Sequence, residues 1–190
     1  MTGKTHQIIG IGAGLGSYLV YAHPTYGPAT LAWVSVISSL GALLPDIDSP
    51  AARIWQGLPF FGHIAEEVVN PFLQHRNLTH SFLGFGLVTW GIYTLGLHVP
   101  AYWGLSVHRV ELAFCLAYAS HLLADALTVQ GIPLFFPAPR TFGFPPHPFQ
   151  GLRIETGKWF ENFIIFPAVN LLLVALVWYH WSLIKTILFH

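Results

Sequence analysis

The sequence predicts an all-α fold, a polytopic membrane helical bundle of about five spans, with an interfacial segment after the second span and a Pro-rich loop after the fourth. Three observations carry that expectation. Of 190 residues, 54% are hydrophobic and only 8% are Asp, Glu, Lys or Arg, against roughly 25% charged in an ordinary soluble domain. Such a chain cannot cover a water-facing surface. Apolar runs recur along its length, and the length suits one domain, residues 1–190. The formal net charge is zero with histidine neutral, so neither a basic nucleic-acid face nor an acidic solvating tail is available, and no nucleic-acid partner is expected. The lone Cys115 lies in an apolar run and is silent on redox compartment.

The five apolar segments are Ile8 to Ala22, Ala29 to Leu44, Phe82 to Leu97, Leu112 to Val129, and Phe163 to Leu188. The first follows Met1-Thr2-Gly3-Lys4-Thr5-His6 without a small-residue cleavage site, so it is expected to be retained. It carries Gly10, Gly12, Gly14 and Gly16. With no preceding strand, a nucleotide-binding reading fails its context, and the glycines are expected to form a close helix-packing face. Several segments fall short of the roughly 20 residues that span a bilayer core, which implies tilt, local thinning, or ends that stop at a buried polar site. Ser49 to Gln74 mixes Arg53, Trp55, Phe60, Phe61, His63, Glu66 and Glu67, as an interfacial helix would. Gly131 to Pro148, with six prolines and several aromatics, reads as an irregular, membrane-hugging loop.

Assigning Lys and Arg to alternate sides of five spans gives Lys4, Arg53, Arg76, Arg140, Arg153 and Lys158 on one side, and Arg109 and Lys185 on the other. The excess places the N-terminus in the cytoplasm of a bacterial or archaeal membrane.

The ionisable residues are few and unevenly placed. Asp46 and Asp48 lie in Leu44-Pro45-Asp46-Ile47-Asp48-Ser49-Pro50, where the prolines stop the second span and a turn can aim both carboxylates at one centre. A plain surface-capping loop is the alternative. His75-Arg76-Asn77-Leu78-Thr79-His80-Ser81 precedes the third span. Histidines five apart would sit about 140° apart on a helix, so at least one is expected before it, with Asn77 or Thr79 as N-cap. In Ser120-His121-Leu122-Leu123-Ala124-Asp125, the histidine and aspartate share one helix face. An ionisable pair inside a membrane helix is costly and points to function, although a structural hydrogen-bonded pair remains the alternative.

Alternation of spans puts His6, Asp46, Asp48, His75, His80, His121, Asp125 and Glu161 on one membrane side. Imidazoles and carboxylates gathered in a partly dry pocket suit Zn²⁺, with Mn²⁺ or Fe²⁺ as alternatives. Eight candidate ligands exceed the needs of one ion, so a site of two or more is expected. Arg76, flanked by His75 and near His80, is the candidate for binding an anionic oxygen bidentately. Arg140 and Arg153 read as headgroup contacts or topology signals. His63, Glu66, Glu67 and His147 are second-tier candidates, while His98 and His108 belong with Glu111 on the other side.

Taken together, early His6, the Leu44-Pro45-Asp46-Ile47-Asp48 turn, the His75 to Ser81 motif, Ser120 to Asp125, Leu127-Thr128, Gly131-Ile132-Pro133-Leu134, and Thr156-Gly157-Lys158-Trp159-Phe160-Glu161 resemble the YdjM-type family of membrane-bound metal-dependent hydrolases. That family is distantly similar to the helical zinc phospholipase C and P1-nuclease group, though no counterpart of that group's N-terminal-amine ligand is visible in the sequence, because Met1 precedes His6. The resemblance implies hydrolysis of a phosphoester or related bond in a lipid or lipid-linked substrate at the cytoplasmic interface. His6, Asp46, His75, His80, His121 and Asp125 would ligate, and Asp48 and Glu161 would ligate, bridge or take a proton. Arg76 would hold the anionic group, and the aromatic stretches Trp55 to Phe61 and Phe135 to Phe149 would admit acyl chains. A metal-ion or proton transporter built on the same residues is the rival, but it calls for midplane groups with access from both sides.

Overall fold

The computed structural model describes residues 1–21, 27–48, 78–99 and 105–189. Its helices are α1 (Gly3–Tyr21), α2 (Pro28–Leu43), α3 (Phe82–Gly96), α4 (Val107–Ala126), α5 (Phe166–Tyr179) and α6 (Trp181–Phe189). A 3₁₀ turn, Leu44–Asp48, follows α2, and a π-helical turn, Glu161–Ile165, leads into α5. Among the described residues no strand forms, and two isolated bridges, Thr128 with Ile154 and Ile132 with Phe142, are the only β pairings. The expected interfacial segment, Ser49 to Gln74, lies outside the described residues, as do His75 and Arg76.

Helices α1, α2 and α4 pack on one another to form the centre of the molecule, with α3 against α4 and α5 against α1. One apolar cluster gathers Leu15, Tyr18, Leu19, Val34 and Ala113 with Ile184 and Ile187 of α6, and a second gathers Phe114, Tyr118, Leu122, Ala126 and Ile132. Two of the four early glycines make the tight contact. A Cβ on Gly10 would collide with Ala42, and one on Gly14 with Ser38. Gly12, two residues from each, faces open space. The packing face is therefore an i, i+4 pair, the small-residue geometry that lets helix backbones approach closely.

The expectation of about five spans is not supported. Among the described residues, two helical stretches are long and apolar enough to cross a membrane, Pro28–Ile47 with 20 residues and Glu161–Tyr179 with 19. The reason lies in what the apolar runs contain. Helix α3 has 15 residues, about 22 Å at 1.5 Å per residue, and α4 includes His108, Arg109, Glu111, His121 and Asp125. The last apolar run is also not a single helix, because α5 gives way to α6 at His180, whose ring Nδ1 lies 3.0 Å from the carbonyl of Leu176.

Local signals fix the helix ends that matter to the site. Pro28 opens α2 at its first turn, where its missing N–H costs nothing. At the start of α3 the cap is Ser81, whose Oγ accepts from the Gly84 amide at 3.1 Å. Asn77 lies outside the described residues and Thr79 precedes the cap. Sequence alone could not separate three neighbouring cap formers. In the Pro-rich loop, Ile132 and Phe142 exchange both backbone hydrogen bonds, at 2.8 and 2.7 Å. Arg153, expected as a headgroup or topology residue, instead braces this loop, donating from Nε to Pro145 O and from Nη2 to Gly143 O, each at 2.9 Å.

Candidate metal centre

Four elements converge on one polar cluster: the first turn of α1 with His6, the 3₁₀ turn with Asp46, the residues before α3 with His80, and the C-terminal half of α4 with His121 and Asp125. One ligand atom from each of Asp46, His80, His121 and Asp125 lies within 4.8 Å of all the others. That set is able to hold a metal ion. His80 Nε2 is 3.5 Å from Asp46 Oδ1 and 3.6 Å from Asp125 Oδ2. His121 Nε2 is 3.7 Å from each of the same two oxygens. The two Nε2 atoms face each other at 3.3 Å.

The supporting contacts orient these groups. His121 Nδ1 is 2.6 Å from the carbonyl of Ala42, a partner that can only accept. The ring proton therefore resides on Nδ1, and Nε2 presents its lone pair to the cluster, as a metal-ligating imidazole requires. His80 Nδ1 has Thr79 Oγ1 at 3.2 Å, and the Thr79 carbonyl accepts from Tyr118 Oη at 2.7 Å. Thus an aromatic on α4 fixes the short segment that delivers His80. His6 is fully buried and stacks on His121, with ring centroids 3.7 Å apart and planes at 16°. Its Nε2 is 2.9 Å from Asp125 Oδ1, while Nδ1 has no hydrogen-bond partner among the described residues. A buried imidazole set against a carboxylate in this way suits a donor set able to share a cation.

Asp125 stands between two groups of partners. Its Oδ2 faces His80 and His121, while its Oδ1 faces His6 and the amino group of Met1. Met1 does not stand among the residues expected at the site; the first residues fold into the centre. His6, His80, His121 and Asp125 are fully buried, whereas the Asp46 side chain is 19% exposed. Burial works against a charged His80, but the carboxylates of Asp125 and Asp46 outweigh it and raise its pKa above the ordinary histidine value.

Of the other expected site residues, His75 and Arg76 lie outside the described residues, as does the side chain of Asp48, whose backbone ends the 3₁₀ turn. Glu161 is buried but stands apart from the four-residue set. Its carboxylate accepts from Thr2 N, Thr2 Oγ1, Thr5 Oγ1 and Gly157 N. His108 and Glu111 pair with each other at 3.9 Å. Between α3, α4 and the Pro-rich loop, Phe82, Phe85, Leu122, Leu134 and Phe142 line an apolar groove of about 190 Å³.

The family described as YdjM inner membrane protein matches residues 1–186. A Bacillus subtilis protein, called uncharacterized protein YvsG, is 30% identical over 165 residues, 87% of this chain and 88% of that one. The inner membrane proteins YdjM of Escherichia coli and Shigella flexneri are each 35% identical over 135 residues, covering 70% of this chain but 62% of theirs. No solved structure matches the chain.

Proposed function

The chain belongs to the YdjM inner membrane protein family, and from that premise we propose that it is a membrane-embedded metal-dependent hydrolase acting on a phosphoester, or related bond, of a lipid or lipid-linked substrate. The observation that carries this reading is the largely buried His/Asp set with opposed imidazole Nε2 atoms and the buried His6 ring beside it, set against Asp125. Nitrogen and carboxylate ligands without thiolate suit Zn²⁺, with Mn²⁺ or Fe²⁺ as alternatives. Asp46, His80, His121 and Asp125 would hold one ion, and Asp125 Oδ1 with His6 would take part in a second position. Bound there, a divalent cation supplies a water of lowered pKa and neutralises charge on the reacting oxygen. His75 is a further ligand candidate from its motif.

The chain's own residues do the rest. The Ala42 carbonyl keeps the His121 tautomer fixed, and the Tyr118 hydroxyl holds the segment that carries His80. Arg76 binds the anionic oxygen through its guanidinium fork, and Asp48 takes the proton released from the attacking water. Substrate enters on the Asp46 side. The apolar groove at Phe82 and Phe142 and the exposed aromatics Phe135, Phe144, Phe149, Trp159 and Phe163 support a hydrocarbon-bearing substrate presented from the bilayer. The site and the N-terminus lie on the cytoplasmic side of a bacterial or archaeal cytoplasmic membrane, by the Lys/Arg distribution, and residues 1–190 act as one domain.

Elemental analysis of protein purified without chelator, followed by a screen of phospholipids and lipid-linked phosphates, tests the reading. Bound zinc or a similar metal is expected, with turnover on at least one substrate. His121→Ala and Asp125→Ala should each lower turnover by more than ~100-fold, beyond what outer-shell changes at metal sites cost, without loss of membrane insertion. Retained turnover in both variants, or an active wild type free of metal, defeats it. Cation flux into proteoliposomes without hydrolysis would favour the transporter.

A further inference from the structure

We propose that Glu161 is a positioning residue: its carboxylate clamps the first turn of α1 and so sets His6 in the cluster. What His6 then does rests on the metal reading above; the clamp itself does not. Glu161 was expected among the ligands, but its hydrogen bonds point elsewhere. Oε1 accepts from Thr2 N at 2.7 Å, Thr2 Oγ1 at 2.8 Å and Thr5 Oγ1 at 2.6 Å, and Oε2 accepts from Gly157 N at 2.8 Å. An ionised carboxylate offers about four lone-pair positions; three donors from the start of α1 converge on Oε1, and the Gly157 amide takes one position on Oε2.

The clamp reaches His6 through the backbone. Thr5 is its chain neighbour, and the His6 amide donates to Thr2 O at 3.1 Å, so both residues that Glu161 grips bracket the histidine's own turn. The ring stacks on His121 and sets Nε2 2.9 Å from Asp125 Oδ1, and the course of α1 brings it there. A negative carboxylate is also well placed at a helix N-terminus, where unpaired amides and the helix dipole favour it. Gly157 completes the arrangement at φ +75°, a left-handed conformation costly for other residues, from which its amide reaches Oε2. The clamp therefore ties the start of the spanning stretch Glu161–Tyr179 to the start of α1.

Two measurements on the full-length protein in detergent decide it. The first is hydrogen exchange of residues 1–10 in chelator-treated protein. Glu161→Ala and Thr5→Ala should each speed exchange by roughly tenfold, as loss of a hydrogen bond would, and Thr5→Ser should restore it. Unchanged exchange in both overturns the proposal, and Thr5→Ala keeps the test alive should Glu161→Ala not fold. The second is the visible spectrum on titration with Co²⁺. Glu161→Ala should alter it as His6→Ala does, and the double variant should go no further than His6→Ala alone. Additive effects would make Glu161 a ligand in its own right and overturn the positioning role. A wild type that takes up no Co²⁺ or Zn²⁺ sinks the metal reading, and the exchange measurement then still decides the clamp.

Discussion

At the residue scale, His80 shows how the cluster couples charge to stability. Its imidazole faces Asp46 and Asp125 at 3.5 and 3.6 Å, and these carboxylates raise its pKa in spite of burial. A raised folded pKa stabilises the protein fully below the ordinary histidine value and loses that stabilisation as pH climbs through the raised value. Chelator-treated protein should therefore melt at progressively lower temperature as pH rises from about 6.5. The metal-loaded protein should do the opposite, because ligands must lose protons to bind. Thermal unfolding across a pH series, with and without chelator, reads both slopes, and His80→Gln should flatten the first. The histidines and aspartates of this set were visible in the sequence because charge is so scarce that each such residue in an apolar context calls for a reason. Glu161 was visible for the same reason, but its partners were not. Nothing in the sequence links Thr2 and Thr5 to a carboxylate more than 150 residues away.

At the scale of the element, the early glycines separate packing from mere composition. Gly10 and Gly14 abut α2 and α4, whereas Gly12 faces open space. Gly10→Ala should destabilise the bundle by about 1–3 kcal/mol, the cost of overpacking a tight contact. Gly12→Ala should stabilise by up to about 1 kcal/mol, from helix propensity alone. Unfolding of the two variants in the same detergent compares them directly, and equal effects would remove the packing face. Helices α2 and α3 lie within a residue or so of the expected apolar runs at both ends, whereas α1 and α4 each begin about five residues before theirs. The span count failed because an apolar run marks a helix, while crossing a bilayer also needs length and freedom from charge. Helix α4 tolerates His121 and Asp125 by burying them against α1 and the 3₁₀ turn.

For the whole molecule, α5 is the element that shows where lipid belongs. It packs against α1, and Leu171, Leu172 and Val174 are 70%, 69% and 64% exposed, as apolar side chains facing hydrocarbon would be. Leu172→Asp should cost about 2.5–3.5 kcal/mol at mid-helix and reduce the fraction of protein resistant to alkaline extraction of membranes. Full resistance would argue that this face is covered by protein. The sequence by itself determined the helical, membrane-bound class and the small set of residues able to do chemistry, because hydropathy and the cost of burying charge are properties of each residue and its near neighbours. Only the tertiary structure decided that His6, Asp46, His80, His121 and Asp125 meet, that Met1 joins them, and that Glu161 grips α1. Those contacts depend on how helices far apart in the chain rotate and pack, which side-chain volumes at positions such as Gly10 and Gly14 set only once the helices are brought together.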